Sequence, residues 1–371
     1  MDIVEKIFAY ECKEYDWQAK LRETEQNPEY HAEGNVLIHT RMVIEELLSL
    51  SAYRQLSEKD RRILLLAALL HDIAKPFCTK REGGRLTAHH HAKKGEQEAR
   101  RLFYSYGFME EISGKLSFEE RERVCSLIRY HGLPLFFVNR EDCDREIFKA
   151  SLEVNLLHVS LLATADVMGR IGKSKRALQE NIALFREHCS ELGCLTVPKD
   201  FPSDRARLLY FKQGEQYLHY EPHEEPRSNV FLMSGIPASG KDTYINKHLS
   251  DLPVISLDEL RESMGIAPEK NQGRIVQEAK KRAREYLAQK RDFVWNATNI
   301  TRPMRSQLID LFLNYGASVR VVYCETPLET ALARNATRKQ PLPHSAIREM
   351  ANKLDVPKAW EAESVTYCIS D

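Results

Sequence analysis

The chain has 371 residues, 43% hydrophobic and 29% charged, an ordinary globular mixture with room for two or three domains. Its 54 basic and 54 acidic side chains cancel, which excludes a uniformly basic nucleic-acid coat and leaves only local basic grooves. The longest apolar run, Ile63 to Leu70, is eight residues, far short of the roughly 20 a membrane helix needs. Acids stand at the N-terminus where a signal peptide would be basic, so a cytoplasmic protein with no membrane partner is expected. Eight cysteines (12, 78, 125, 143, 189, 194, 324, 368) form no C-x-x-C pair and read as reduced thiols; their low density argues against a Cys189–Cys194 bridge.

Residues 1–222 read as one all-α domain. Val36 to Leu48 carries apolar residues at helical spacing, and Arg61 to Leu70 is apolar all round, hence central. His39 lies on the first of these helices; His71 and Asp72 end the second, followed by Ile73-Ala74-Lys75-Pro76. Neighbouring imidazole and carboxylate can meet one divalent transition metal, although a lone His-Asp pair is commonly just a satisfied helix end. A run His89-His90-His91 follows. Val124 to Ile128 reads as a helix stopped by glycine at His131-Gly132. Phe148 to Met168 reads as one long apolar helix, interrupted by Asp166, where an unpaired carboxylate would be costly. Strand signals are nearly absent. The irregular, proline-bearing stretch 219–228 reads as a linker.

Residues 223–371 alternate strand and helix, which predicts an α/β domain with a parallel sheet. Strands are expected at Val230–Met233, Val254–Ile255, Phe293–Trp295 and Val319–Tyr323, and helices near 241–250, 271–290, 302–314 and 326–335. From Asn229 onward there are 20 basic and 17 acidic residues, so this half is the more basic. Gly235-Ile236-Pro237-Ala238-Ser239-Gly240-Lys241 fits G-x-x-x-x-G-K between a strand and a helix. Such a loop turns backbone N–H groups around phosphates, and Lys241 adds a point charge. Asp242 stands where Ser or Thr usually reaches magnesium; it binds the ion directly or through water, or Thr243 replaces it. Asp258 and Arg261, three apart on a helical face, suit acceptance of a hydroxyl proton and a grip on an acceptor phosphate; the plainer alternative is an N-cap aspartate with a solvated arginine. Arg334 and Arg338, four apart on a late helix, suit a charged lid over transferring phosphate.

G-x-x-x-x-G-K, D-x-x-R at Asp258/Arg261 and R-N-x-x-R at Arg334/Arg338 together resemble the 5′-OH polynucleotide kinase branch of P-loop phosphotransferases. The resemblance implies ATP or GTP with Mg²⁺ as donor and Asp258 as general base. It further implies Arg261 on the acceptor's phosphate, Arg334 and Arg338 on the donor, and an acceptor-side stretch at Thr298 and Asn299. His39, His71-Asp72, His91, His131 and Asp166 resemble the H…HD…H…H…D pattern of the HD phosphohydrolase superfamily over about residues 30–190. That implies an all-helical fold holding one or two divalent transition metals through these six residues, with Lys75 as a phosphate contact. His91 is preferred because His91-Ala92-Lys93-Lys94-Gly95 has that superfamily's spacing; His90 is the alternative. Residues 1–30 match nothing.

The order of the halves resembles the bacterial HD-Pnk family of RNA end-healing enzymes. The resemblance implies removal of 2′,3′-cyclic phosphate or 2′-phosphate, phosphorylation of 5′-OH ends of RNA or DNA, and an RNA ligase acting downstream. Two other readings stand beside it. One is a small-molecule nucleoside or metabolite kinase fused to a nucleotidase. The other is a non-catalytic nucleotide or RNA-end sensor.

Overall fold

The computed structural model describes residues 2–13, 15–223, 225–266, 272–338 and 340–370. Glu224 of the expected linker, Asn271 of an expected helix and Lys339 of the expected lid lie outside them. The chain divides into two compact units, Met1–Asp200 and Phe201–Asp371.

The first unit is helical. Its principal helices are α1 (Trp17–Arg22), α2 (Val36–Ser49), α3 (Glu58–Leu70), α4 (His91–Tyr106), α5 (Phe118–Tyr130), α6 (Cys143–Ser151), α7 (Leu156–Met168) and α8 (Lys175–Glu191). Ser57 caps α3 through Asp60 N, and Ser117 with Glu120 forms a reciprocal capping box on α5. The last turns of α3 are buried all round and pack against α2, α5 and α7. That explains why Leu64 to Leu70 shows no polar stripe.

Three details differ from expectation. The apolar stretch Phe148 to Met168 is two helices, α6 and α7, meeting at 109°. The break comes where the Asn155 side chain accepts from Leu157 N and His158 N and starts a new helix. The end of α5 is no glycine stop: Gly132 has φ −83°, and the chain runs into another turn, Leu133–Phe136, with Pro134 in its first positions. A hairpin, Lys80–Glu82 with Arg85–Thr87, was not expected. Its signal is Gly83-Gly84, both at positive φ, the demand of a two-residue hairpin turn. Among the described residues no single helix is long and apolar enough to cross a membrane. All eight cysteines are free thiols.

The second unit is an α/β sheet sandwich. After α9 (Asp204–Gln213) come β1 (Asn229–Ser234), α10 (Lys241–His248), β2 (Val254–Ser256), α11 (Leu257–Ser263), α12 (Gln272–Ala288), β3 (Phe293–Asn296), α13 (Arg302–Leu313), β4 (Ser318–Glu325), α14 (Leu328–Ala336), α15 (His344–Asn352) and β5 (Ser364–Ile369). The strands are all parallel in the order β2-β3-β1-β4-β5, with Val230 level with Phe293 and Val319. Val230 and Leu232 face α11, α12 and α13, whereas Met233 faces Ile245 and Leu249 of α10. This is the two-residue period of a strand buried on both faces. The fifth strand, β5, was missed because Ser364, Thr366 and Tyr367 leave no apolar run on this half-exposed edge.

The two compact units divide at 200/201, whereas the boundary expected from the sequence is at 222/223. Helix α9 belongs to the second unit, where Arg205 pairs with Glu363 at 2.7 Å and Arg207 donates to the Glu363 and Ala359 carbonyls. Near the sheet, Arg305 is fully buried and grips Glu361 with Nε and Nη2 at 2.9 and 3.0 Å. Its Nη1 donates to the carbonyls of Asn299 and Asp355. Removing one partner of a buried pair strands the other charge. Arg305→Ala should therefore lower the unit's stability by about 3–5 kcal/mol in urea unfolding. The double variant Arg305→Met/Glu361→Leu should recover part of that loss.

Candidate functional site

In the helical unit the end of α3, the start of α4, the end of α5 and the middle of α2 and α7 converge. His71, Asp72 and His131 are buried at helix ends, and His39 and Asp166 are buried within α2 and α7. His91 opens α4, which approaches closely because of Gly95: a Cβ there would meet Ile128 at 3.0 Å and the His71 carbonyl at 3.6 Å. His89 and His90 are exposed, so His91 is the member of the run that enters the pocket.

The imidazoles share one device. The Nδ1–H groups of His71, His91 and His131 donate to the carbonyls of Ala68, Ala88 and Ile128, each three residues back, at 2.8, 2.7 and 2.8 Å. His39 Nδ1 lies 2.9 Å from Glu33 Oε1. In His71, His91 and His131 Nδ1 is thus occupied and the Nε2 lone pair is left for the pocket, whereas His39 Nδ1 makes no hydrogen bond among the described residues and its Nε2 donates to Asp166 Oδ1. There, His39 Nε2 lies 3.1 Å from Asp166 Oδ1, His71 Nε2 3.1 Å from Asp72 Oδ2, and His91 Nε2 3.4 Å from Asp72 Oδ1 and 3.3 Å from His131 Nε2. Two triads of donors result: His39, His71, Asp166 and Asp72, His91, His131. His71 Nε2 and Asp72 Oδ1 are buried with no hydrogen-bond partner among the described residues. Orphan lone pairs on a nitrogen and a carboxylate oxygen fit a divalent transition metal.

The charges are tuned accordingly. Burial, then the neighbouring His91 and His71, push His131 down to about 3, and burial lowers His91. Both imidazoles are therefore neutral at physiological pH. Burial works against charge on His71, but Asp72 outweighs it and raises its proton affinity. Burial likewise opposes ionised Asp72 and Asp166, and it is overridden by His71 and Lys75 in one case and by Arg170 and His39 in the other. Lys75 Nζ donates to Asp72 Oδ2 at 2.6 Å and to Gln26 Oε1 at 2.7 Å. Sequence reasoning missed the supporting groups Glu33, His31, Arg170 and Gln26. Arg170 follows Asp166 by one helical turn and donates to it from Nε and Nη2. That spacing was the one available signal.

In the second unit the loop after β1 is shaped by its glycines. Gly235 has φ +143°, and a Cβ there would strike the Cys324 carbonyl at 2.3 Å; Gly240 has φ +99° at the N-cap of α10. Ala238 also has positive φ, 62°. Ile236, Pro237 and Ser239 are buried, while Asp242 and Thr243 are exposed. Lys241 Nζ donates to the Gly235 and Ile236 carbonyls, closing the loop on itself. Burial lowers its pKa to about 8, against the pull of Asp242. Asn296, at the end of β3, donates to Asp242 Oδ1 at 2.7 Å and so presents the carboxylate beside the loop.

Asp258 is not the N-cap of α11; Ser256 is, accepting from Glu259 N. Asp258 is left exposed between two guanidiniums, Arg261 at 2.5 Å and Arg338 at 3.5 Å. Arg334 and Arg338 do not share a helix. Helix α14 ends at Ala336 with Thr337 as cap, so Arg334 is exposed on its last turn and Arg338 lies beyond. Asn335 holds this segment, bonding both the carbonyl and the N–H of Leu342. The expected acceptor stretch adjoins the loop after β1. The Asn299 amide is buried and donates to the Met233 carbonyl, and the Thr298 carbonyl accepts from Gly235 N. Through these bonds both residues brace β1 and the loop at 235–241.

Residues 36–148 match the HD domain family and residues 230–357 match the AAA domain family. The chain is 24% identical over 148 residues to the L-seryl-tRNA(Sec) kinase of Methanococcus maripaludis, covering 37% of this chain and 58% of that protein. It is 36% identical over 66 residues to the L-seryl-tRNA(Sec) kinase of Mus musculus, covering 17% and 18%. The chain thus spans little more than half of the archaeal relative and under a fifth of the mouse one. Among solved structures it is similar to a presumed kinase from Chloroflexus aurantiacus (15% identity, 39% of this chain and 87% of that one, TM-score 0.33). It is also similar to a gluconokinase from Sinorhizobium meliloti 1021 (16%, 39% and 84%, TM-score 0.29). An HD-type domain is therefore followed in this chain by an AAA-type domain.

The depressed His131 has a consequence for metal-free protein. A histidine held neutral in the fold takes up protons only on unfolding, so stability is full above the unfolded pKa near 6.5 and falls as pH drops toward about 3. The limiting slope is about 1.4 kcal/mol per pH unit for one such group; His71, shifted the other way, acts above pH 6.5. In EDTA, His131→Asn should flatten this acid limb, as followed by urea unfolding between pH 7 and 4.

Proposed function

We propose that the chain is a bifunctional enzyme of nucleic-acid ends. One site hydrolyses a 2′,3′-cyclic phosphate or 2′-phosphate, and the other transfers the γ-phosphoryl group of ATP or GTP to a 5′-hydroxyl. The observation that carries the kinase reading is Asp258, an exposed carboxylate between Arg261 and Arg338 in the same unit as the phosphate loop. Asp258 accepts the hydroxyl proton as the acceptor oxygen bonds to the γ-phosphorus and the bond to the nucleoside diphosphate breaks. Arg261, released from Asp258, holds an acceptor phosphate. Lys241 leaves the Gly235 and Ile236 carbonyls for donor phosphate oxygens. Asp242, steadied by Asn296, takes the place of the usual hydroxyl toward Mg²⁺. Helix α12 supports a polyanionic acceptor: it carries Arg274, Lys280, Lys281, Arg282 and Arg284 against Glu278 and Glu285.

In the hydrolase unit, His39, His71 and Asp166 would hold one divalent ion and Asp72, His91 and His131 another. Such ions supply the positive charge and water activation that phosphoester hydrolysis requires. The chain's own contribution is to keep the imidazoles in one tautomer and to place Lys75 beside Asp72, where it neutralises charge on a phosphoryl oxygen.

A second reading has specific support. The likeness to two L-seryl-tRNA(Sec) kinases favours a hydroxyl acceptor other than a 5′ end, carried on RNA or on a small molecule. Both readings share a nucleotide donor and an alcohol acceptor. They part on substrate: oligonucleotides with a 5′-OH should be phosphorylated far better than free nucleosides or serine-bearing acceptors, and the reverse order would favour the second.

The activities should separate. Lys241→Ala and Asp258→Ala should reduce 5′ phosphorylation at least 100-fold, roughly 2.7 kcal/mol or more, and spare the phosphoesterase. His71→Ala and Asp72→Ala should do the reverse. Loss of both activities in one folded variant, or no conversion of either end with any of a panel of divalent metals, would overturn the proposal. Nucleotide binding should also report Lys241. Phosphate binds the protonated amine, so affinity for the magnesium–nucleotide complex should be greatest below about pH 8 and decline above it. Fluorescence titration from pH 6.5 to 9.5 would read this, and the Lys241→Ala profile should lack the decline.

A further inference from the structure

The stretch before the HD match contributes a group to the hydrolase pocket. Helix α1 is anchored by buried Trp17 and Leu21, and the chain after it is pinned to the start of α2. Val36 N donates to the Thr24 carbonyl, and Glu25 forms a bridge with Asn35, which caps α2. Gln26 is thereby held next to the helix that carries His39. Its side chain is 8% exposed.

The orientation of the Gln26 amide is settled by its partner. Lys75 Nζ can only donate, so the oxygen, Oε1, must face it, and it does at 2.7 Å. The amide nitrogen therefore points the other way. Nε2 is buried and has no hydrogen-bond partner among the described residues. Buried donors are left unmade rarely, and then commonly at ligand sites. The same Lys75 ammonium is shared with Asp72, whose own Oδ1 is also unpartnered.

The choice of residue is informative. A glutamate at this position would brace Lys75 more strongly, as an ion pair. It would also add negative charge on the lysine that Asp72 shares, and it would offer no N–H. An amide braces the lysine with its oxygen and keeps two N–H bonds for something else. With Lys75 adjacent, the chemistry that fits is an oxyanion.

We propose that Gln26 Nε2 and Lys75 Nζ form a phosphoryl-oxygen subsite of the hydrolase pocket, in which Gln26 donates to a non-bridging oxygen of the phosphoester and of the phosphate product. This rests on the reading of the pocket as a phosphoesterase.

The test compares full-length wild type, Gln26→Glu and Gln26→Met, each checked by thermal melting. Inorganic phosphate binding is measured by calorimetry with the divalent metal present, and kcat and KM are measured on an oligonucleotide ending in a 2′,3′-cyclic phosphate. Gln26→Glu keeps an acceptor for Lys75 and loses the donor; Gln26→Met loses both. The expected result is that both variants fold and that both weaken phosphate binding and raise KM roughly tenfold to a hundredfold, the range for a lost hydrogen bond to a charged group. A purely bracing Gln26 predicts instead that Gln26→Glu matches wild type and only Gln26→Met is impaired, which would overturn the proposal. So would phosphate affinity unchanged in both. If wild type binds phosphate in a Gln26-dependent way yet hydrolyses no phosphoester, the subsite stands and the phosphoesterase reading fails.

Discussion

The helical unit depends on one constraint: the three histidines at the helix ends of its pocket are held at Nδ1. In His71, His91 and His131 the restraint is the carbonyl three residues back, while His39 is held through Nε2, which donates to Asp166. This is an economical use of helix termini. A histidine at a helix end can fold its ring back onto a backbone acceptor of its own last turn, or of the turn just before the helix begins. The bond fixes both tautomer and ring plane, so the Nε2 atoms arrive in the pocket as oriented acceptors. Burial does the rest by keeping His91 and His131 neutral, which a cation-binding imidazole must be. The surrounding core of α2, α3, α5 and α7 is therefore the means of aiming five buried polar side chains at one place, with His91 completing the set.

The α/β unit solves a different problem, the holding of a loop that is all backbone. The phosphate loop follows β1, the strand whose two neighbours, β3 and β4, leave in opposite directions along the sheet. That reversal opens the crevice in which open parallel sheets place their ligands. Support comes from β3 and the segment after it: Asn296 on Asp242, the Thr298 carbonyl on Gly235 N, and the Asn299 amide on the Met233 carbonyl. Arg305 and Glu361 then tie the Asn299 backbone to the C-terminal segment. The loop is thus positioned by polar bonds from its flank, while the apolar sheet positions those.

What was legible in the sequence followed from patterns that are local. The alternation of strands and helices and the apolar α3 survive comparison with the structure; G-x-x-x-x-G-K forms a loop between strand and helix, and the His-Asp series is brought together in one place. What was not legible depended on partners far away in the chain. Gln26 and Lys75 are 49 residues apart, and Asn296 and Asp242 are 54 apart. Nothing near Gln26 marks it as special, and Asn299 has the polarity of a substrate contact but the burial of a brace. The helix break at 152–155 was hidden because both flanks are apolar and only Asn155 signals the restart. The tie of helix α9 to the second unit is not local: it is carried by two arginines whose partners lie about 150 residues later.

The two units use aspartate in opposite ways, and environment decides which. Asp72 is buried, held by Lys75 and His71, and its proton affinity lies well below the ordinary range. A carboxylate so stabilised as an anion is a poor proton acceptor near neutral pH and a good ligand for positive charge. Asp258 is exposed, and its two partners are guanidiniums that phosphate groups would draw away. If Arg261 and Arg338 turned to phosphate groups, as the proposed transfer reading has it, both ion pairs with Asp258 would open. The binding of acceptor and donor would then be coupled to the freeing of the carboxylate. Buried aspartate with fixed cations and exposed aspartate with movable ones are the settings that the proposed hydrolysis and transfer, respectively, would use.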